Sequence, residues 1–246
     1  MELETTVILL LILLVSTYVQ TIVGFGAGLI VVSTATVFDI VPLVFSAAYV
    51  SFTSLFQMLV VMTGEWRNVN WRRVKPIVAG LIPGVFLGVQ LLELLSRDSV
   101  ELLKNILGTV VLLAAAVSLF NFRQYDREPG PVRSVLFGAA GGLGGGMFSN
   151  SAAPIVYYLH KQRLPFAQIR NTLFAVFVAS TSTRIVFIAT KGHVTPELLI
   201  AVAIALPAVA VTTYVAKKYR PLFRVQRMRQ LSFGLLALLG VSLVLT

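Results

Sequence analysis

Gly24-Phe25-Gly26-Ala27-Gly28 and Gly142-Leu143-Gly144-Gly145-Gly146 are two glycine-rich tracts set in apolar sequence, and they lie in register. A shift of about 118 residues puts Gly24 on Gly142, Gly26 on Gly144, Gly28 on Gly146 and Thr36 on Pro154. Glycine in a helix interior costs about 1 kcal/mol relative to alanine, so such clusters need a reason. Matching helix breaks in two halves of an apolar chain outline a transporter built from a repeat.

Composition sets the class. With 57% hydrophobic residues, 12% charged and a mean hydropathy of +0.88, the chain has too little polar surface to cover a soluble globule. Stretches of spanning length, about 20 residues, recur from end to end and predict one integral membrane domain. Glu2 and Glu4 stand where a signal peptide would carry basic residues, so residues 7–15 read as mature structure. There is no cysteine, which excludes disulfides, thiolate metal sites and cysteine nucleophiles.

The net charge of +10 is distributed over short loops. Arg67, Arg72, Arg73 and Lys75 form one group, Arg123, Arg127 and Arg133 another, and Lys161, Arg163 and Arg170 a third. The densest carries Lys217, Lys218, Arg220, Arg224, Arg227 and Arg229. These are positive-inside signals, and no nucleic-acid partner is expected.

If all four loops are cytoplasmic, residues 41–63 run inward, 76–93 outward and about 102–120 inward. In the second half 170–190 run outward, 197–216 inward and 230–246 outward. Residues 133–160 then start and end inside, with arms of about 13 residues that reach about 20 Å of a core about 30 Å thick. They predict a short or re-entrant hairpin. Residues 5–38 form its counterpart with both ends outside, so both termini are expected outside. The expected fold is all-α and polytopic, with two inverted-topology repeats, 1–121 and 133–246, joined by a cytoplasmic linker at 122–132. Each repeat is a glycine-turn helical hairpin followed by three transmembrane helices. The repeat also matches Pro83 to Pro207 if the second half carries an insertion at His160 to Leu164.

Two readings of the glycines compete: close helix packing, which the spacing of Gly24 and Gly28 satisfies, and an unwound turn whose N–H groups face a cavity. The density of the second cluster, followed by Ser149-Asn150-Ser151 and Pro154, favours the turn there. Backbone N–H groups at Gly24, Gly26, Gly28, Gly144, Gly145 and Gly146 then become candidate anion donors, joined by Ser149, Asn150 and Ser151. At the same shift Val31, Val32 and Ser33 replace that polar run, so the second hairpin is expected to dominate substrate contact. Arg184 lies well inside a predicted span, where it either snorkels to the interface or faces a cavity with Thr181 and Ser182 beside it. Thr53 stands in the polar stretch of the first half that corresponds. No aspartate, glutamate or histidine falls at the middle of a span, and no catalytic constellation, metal cluster or nucleotide loop is present. No enzyme activity, cofactor or metal is expected.

The arrangement resembles the TauE/SafE sulfite-exporter family. The residues that carry the likeness are the two glycine tracts with Pro154, the small and hydroxylic runs Ala47 to Ser54 and Ala179 to Thr183, and Pro83-Gly84 with Gly88. Thr36 departs from it, standing where many relatives carry a proline. The resemblance implies a cytoplasmic-membrane transporter of a small sulfur-containing anion, sulfite or an organosulfonate, often outward. The residues also allow an uptake carrier for organic carboxylates or sulfonates, a channel, or a membrane assembly subunit. Partners are the anion and the lipid bilayer, and the oligomeric state is left open.

Overall fold

The computed structural model describes residues 3–119, 129–219 and 234–243. The described segments are helical. The first hairpin is α1 (Leu3–Val23) and α2 (Ala27–Val37), followed by α3 (Leu43–Met62), α4 (Trp71–Asp98) and α5 (Val100–Leu119). The second is α6 (Pro131–Phe148) and α7 (Ala152–His160), followed by α8 (Phe166–Thr190), α9 (Pro196–Lys218) and α10 (Gly234–Leu243). Five of these, α1, α3, α4, α8 and α9, are long and apolar enough to cross a membrane. The expected linker at 122–132 and the basic cluster at 220–229 lie largely outside the described residues.

Local chemistry explains where the helices start and stop. α9 opens with the Thr195 hydroxyl accepting from Leu198 N (3.3 Å), Pro196 in its first turn and Glu197 beside it, and closes on Lys217 and Lys218. Outward faces are apolar, with Leu11, Val15, Leu113, Ile200 and Val211 exposed, while Ser16, Thr17, Gln20, Gln57 and Thr213 are buried. Apolar outside and polar inside suits a hydrocarbon solvent.

The second hairpin corrects the sequence reading. Gly141 to Gly146 are helical, within α6, and the chain breaks instead at Ser149–Ser151. Its arms are therefore unequal, 18 and 9 residues. The first hairpin does break at its glycines, between Val23 and Ala27. Hence the 118-residue shift does not relate the two breaks. If the halves are paired helix for helix, as the expected repeat requires, Ala27 and Ala152, Leu43 and Phe166, and Trp71 and Pro196 open helices 125, 123 and 125 residues apart. The offset is already near its final value at the hairpin, so no insertion at His160 to Leu164 is needed.

The glycines of α6 pack. Gly138, Gly142 and Gly146 face Gly80, Gly84 and Gly88 of α4 along the most extensive helix contact among the described residues. A Cβ on Gly84 would overlap the Ala139 carbonyl, and one on Gly142 the Leu81 carbonyl. Small residues at four-residue spacing let the two backbones touch. Elsewhere α1 packs on α9, α4 on α8, α3 on α9, and α3 on α8 at the centre.

Candidate functional site

Each second arm begins under an amide. Ala27 N donates to Gln20 Oε1 at 2.9 Å, and Ala152 N donates to Asn150 Oδ1 at 2.7 Å. A backbone N–H requires an acceptor, which fixes the oxygen end of each amide and turns its NH2 elsewhere. Both nitrogens, Gln20 Nε2 and Asn150 Nδ2, are buried without a protein partner. The first N–H of each second arm is thus occupied. The amide accepts from the helix and presents its own donor in exchange.

Gln20 and Asn150 both line a central cavity of about 20 Å³, room for about one water. The first hairpin adds Gly26 and Gly28 to its wall, and the second Ser149 and Ser151. α3 contributes Ser54 and Met58, and α8 Phe177, Ser180 and Thr181. The Ser151 and Ser180 hydroxyls share a hydrogen bond of 2.5 Å directly over Gly145, where a Cβ would stand 2.6 Å from Ser180 Oγ. Gly28 lets α2 pass the second break, since its Cβ would lie 2.7 Å from the Ser149 carbonyl. Gly144 does the same beneath the Asn150 carbonyl, also at 2.7 Å.

Arg184 points inward. It is 1% exposed and does not snorkel. Its Nε donates to Gly146 O (2.8 Å), and Nη1 to Ala47 O (2.9 Å) and Ser51 Oγ (2.5 Å). Ser51 Oγ lies 3.0 Å from Ser149 Oγ, so the guanidinium stands one hydroxyl behind the cavity wall. Nη2 has no partner. Ser149 itself has φ 55, an uncommon left-handed backbone for a non-glycine residue.

A second arginine lies near the first break, outside the lining of the cavity. Gly24 has φ 99 and lies under the Arg170 side chain, whose guanidinium is 5.7 Å from the Phe174 ring centre. Beside it Glu65 accepts from Asn171 (2.9 Å) and Asn68 (3.1 Å). Those two bonds, from Asn68 first and then Asn171, hold the Glu65 carboxyl below the usual carboxylate range.

Of the residues singled out by sequence, Gly26, Gly28, Ser149, Asn150, Ser151 and Thr181 meet at the cavity. Gly24, Gly144 and Gly145 shape its surroundings. Thr53 does not reach it, for its hydroxyl bonds back to Tyr49 O of its own helix (2.9 Å), and Ser182 is not among the lining residues. Gln20 was missed. An amide seven residues before Ala27, at the end of an apolar span and just ahead of a glycine break, was the available signal. Glu93 is no isolated acid at a helix end: it receives Lys191 Nζ at 2.9 Å and lies 2.8 Å from His193 Nε2.

The Sulfite exporter TauE/SafE family model matches residues 8–243. The chain belongs to the TauE/SafE family. Over 229 residues it is 31% identical to a Cupriavidus necator protein named "Probable sulfite/organosulfonate exporter TauE", covering 93% of this chain and 90% of that one. No solved structure matches. TauE/SafE proteins are transporters and not enzymes. With its apolar spans, this member is a multi-pass membrane protein.

Proposed function

We propose that the protein exports a small sulfur-containing anion, sulfite or an organosulfonate, by alternating access between two inverted repeats. The observation that carries this reading is the sign of the unmet hydrogen bonds. In the cavity lining, Gln20 Nε2 and Asn150 Nδ2 are both donors left over, in a wall otherwise supplied with serine hydroxyls and with the Arg184 guanidinium one hydroxyl behind it. An oxyanion is the ligand that would satisfy them. The relative's printed name supplies the sulfur chemistry.

The repeats are taken as 1–121 and 133–246. Supporting this, corresponding helices recur at a nearly constant spacing, and contacts pair across the halves. α4 on α6 has its partner in α9 on α1, and α4 on α8 in α9 on α3. In this reading two closures shut the cavity, Arg170 over Gly24 and Arg184 with Ser51 over Ser149. Opening one while the other stays shut is alternating access. The location that goes with this reading is the cytoplasmic membrane with both termini outside, and the basic loops support it. An inside-negative potential favours export of an anion by about 2.3 kcal/mol per charge per 100 mV, so no coupling ion is required.

Counterflow of labelled sulfite into proteoliposomes, with taurine, sulfoacetate, acetate and sulfate as competitors, tests the reading. Saturable exchange blocked by sulfonates and spared by acetate is expected. Acetate as the stronger competitor would make the protein a carboxylate carrier, and absence of exchange in folded protein would overturn transport of sulfite.

A further inference from the structure

Two bonds fix how α3 and α8 run past each other. Arg184 of α8 donates to Ser51 of α3, and Asn171, near the start of α8, donates to Glu65, just past the end of α3. The helices are therefore antiparallel, and the central cavity between them has an end toward Arg184 and an end toward Arg170. α3 lines it with Ser54 and Met58, and α8 with Phe177 and Thr181, each pair on consecutive turns of one helix face. In antiparallel order both hydroxyls, Ser54 and Thr181, fall toward Arg184, while Met58 and Phe177 fall one turn nearer Arg170. Phe25, also in the lining, joins this second end, because it follows Gly24, which lies against Arg170. Among the described residues neither the Ser54 nor the Thr181 hydroxyl is engaged in a hydrogen bond. One end of the cavity is thus hydroxylic, and the other is walled by a thioether and two aromatic rings.

Sulfite is a pyramid, with its oxygens on one side of sulfur and a lone pair on the other. Sulfate carries a further oxygen where that lone pair stands, and methanesulfonate carries a methyl there. With the oxygens of the pyramid toward the hydroxyls, the remaining vertex meets Met58 and Phe177. An oxygen at that vertex would be buried without a donor, whereas a lone pair or a methyl loses nothing. We infer that Met58 and Phe177 set the specificity of the cavity, admitting sulfite and sulfonates and rejecting sulfate. This rests on the reading that the central cavity takes the oxyanion, and it adds what the apolar end selects. The cavity holds about one water as it stands, so its walls part to admit an oxyanion. Each helix carries its hydroxyl and its apolar side chain a single turn apart, so the two ends keep their chemistry as they do.

The test is the ratio of sulfate to sulfite as competitors of labelled sulfite counterflow, with methanesulfonate alongside because it has the shape of sulfate without the last oxygen. In the unaltered protein sulfate should compete at least about tenfold more weakly than either. Met58→Gln brings an amide donor to the apolar end and should bring sulfate about tenfold closer to sulfite. Met58→Leu, apolar and of similar size, should keep the original ratio. Phe177→Tyr carries a hydroxyl to the same end and serves if the glutamine variant does not fold. Where a variant folds without exchanging, binding of labelled sulfite and labelled sulfate to the solubilised protein gives the ratio. Sulfate competing as well as sulfite in the unaltered protein, with sulfite still exchanged, overturns this inference alone. So does a ratio that neither polar variant moves, or one that Met58→Leu moves as far as Met58→Gln, since volume and not polarity is then at work. Absence of sulfite exchange in folded, unaltered protein overturns the functional reading together with it.

Discussion

Asparagine and aspartate differ at position 150 in a way that separates two roles. Asn150→Asp retains an oxygen for Ala152 N but replaces the free donor with negative charge facing the cavity. Thermal stability should stay close to that of the unaltered protein, while sulfite exchange falls about tenfold or more, the worth of a hydrogen bond to a charged group. Unchanged exchange would reduce Asn150 to a helix cap. Arg184→Lys is the second residue-scale prediction. The planar fork spans carbonyls on α6 and α3 and a hydroxyl at once, and a single ammonium cannot. One or more buried acceptors lose their donor, so unfolding in detergent should show a loss of about 1–3 kcal/mol per acceptor. The inward path of Arg184 was not legible in sequence. It lies six residues from the end of α8, short enough to snorkel, and what holds it inside are carbonyls at Gly146 and Ala47, on helices distant in the chain.

At the scale of elements, glycine carries two meanings in this chain, and the substitutions that expose them differ. Gly142→Ala places a methyl against the Leu81 carbonyl, a backbone atom that cannot swing aside. The α4–α6 contact must widen, at a cost of about 1–3 kcal/mol in stability. Gly26→Ala meets nothing within 4 Å, yet φ 112 is a conformation alanine resists. A cost of about 1–2 kcal/mol is expected there, from the backbone alone. Equilibrium unfolding of each variant in detergent measures both. The spans were readable because apolar length and basic loops are strong signals: 41–63 became α3 at Leu43–Met62, and 197–216 became α9 at Pro196–Lys218. The break of the second hairpin was not, because glycines at four-residue spacing both loosen a helix and let it pack. The deciding clue lay in another element. Gly80, Gly84 and Gly88 repeat the spacing of Gly138, Gly142 and Gly146, and a matched pair of ladders indicates contact.

For the molecule as a whole, the two closures proposed above would give handles on the proposed cycle. With no native cysteine, Ser51→Cys with Ser149→Cys introduces a single possible disulfide across an oxygen pair now 3.0 Å apart. Oxidation should stop sulfite exchange and reduction restore it, whereas exchange that survives the cross-link would mean this closure does not open. At the other closure, the lowered Glu65 carboxyl links the loop after α3 to α8 through Asn171. Its contribution to stability is complete above the unfolded carboxylate range and is lost as pH falls through the folded value. Glu65→Gln should therefore lower thermal stability slightly at neutral pH, where that contribution is present, and remove part of the acid sensitivity of thermal unfolding.

The glycine ladder between α4 and α6 bears on how the molecule loosens. The seam that the proposed repeat pairs with it, α1 on α9, joins two helices that contain no glycine at all. Backbones in contact exclude water from their amides, while backbones held apart by side chains admit it more readily during brief openings. Amide deuteration in lipid should consequently proceed in order, the middle of α1 and α9 exchanging well before the middle of α4 and α6. The two seams of the proposed repeat would then differ in tempo: one would yield within the proposed cycle, and the other would give way only when the protein unfolds.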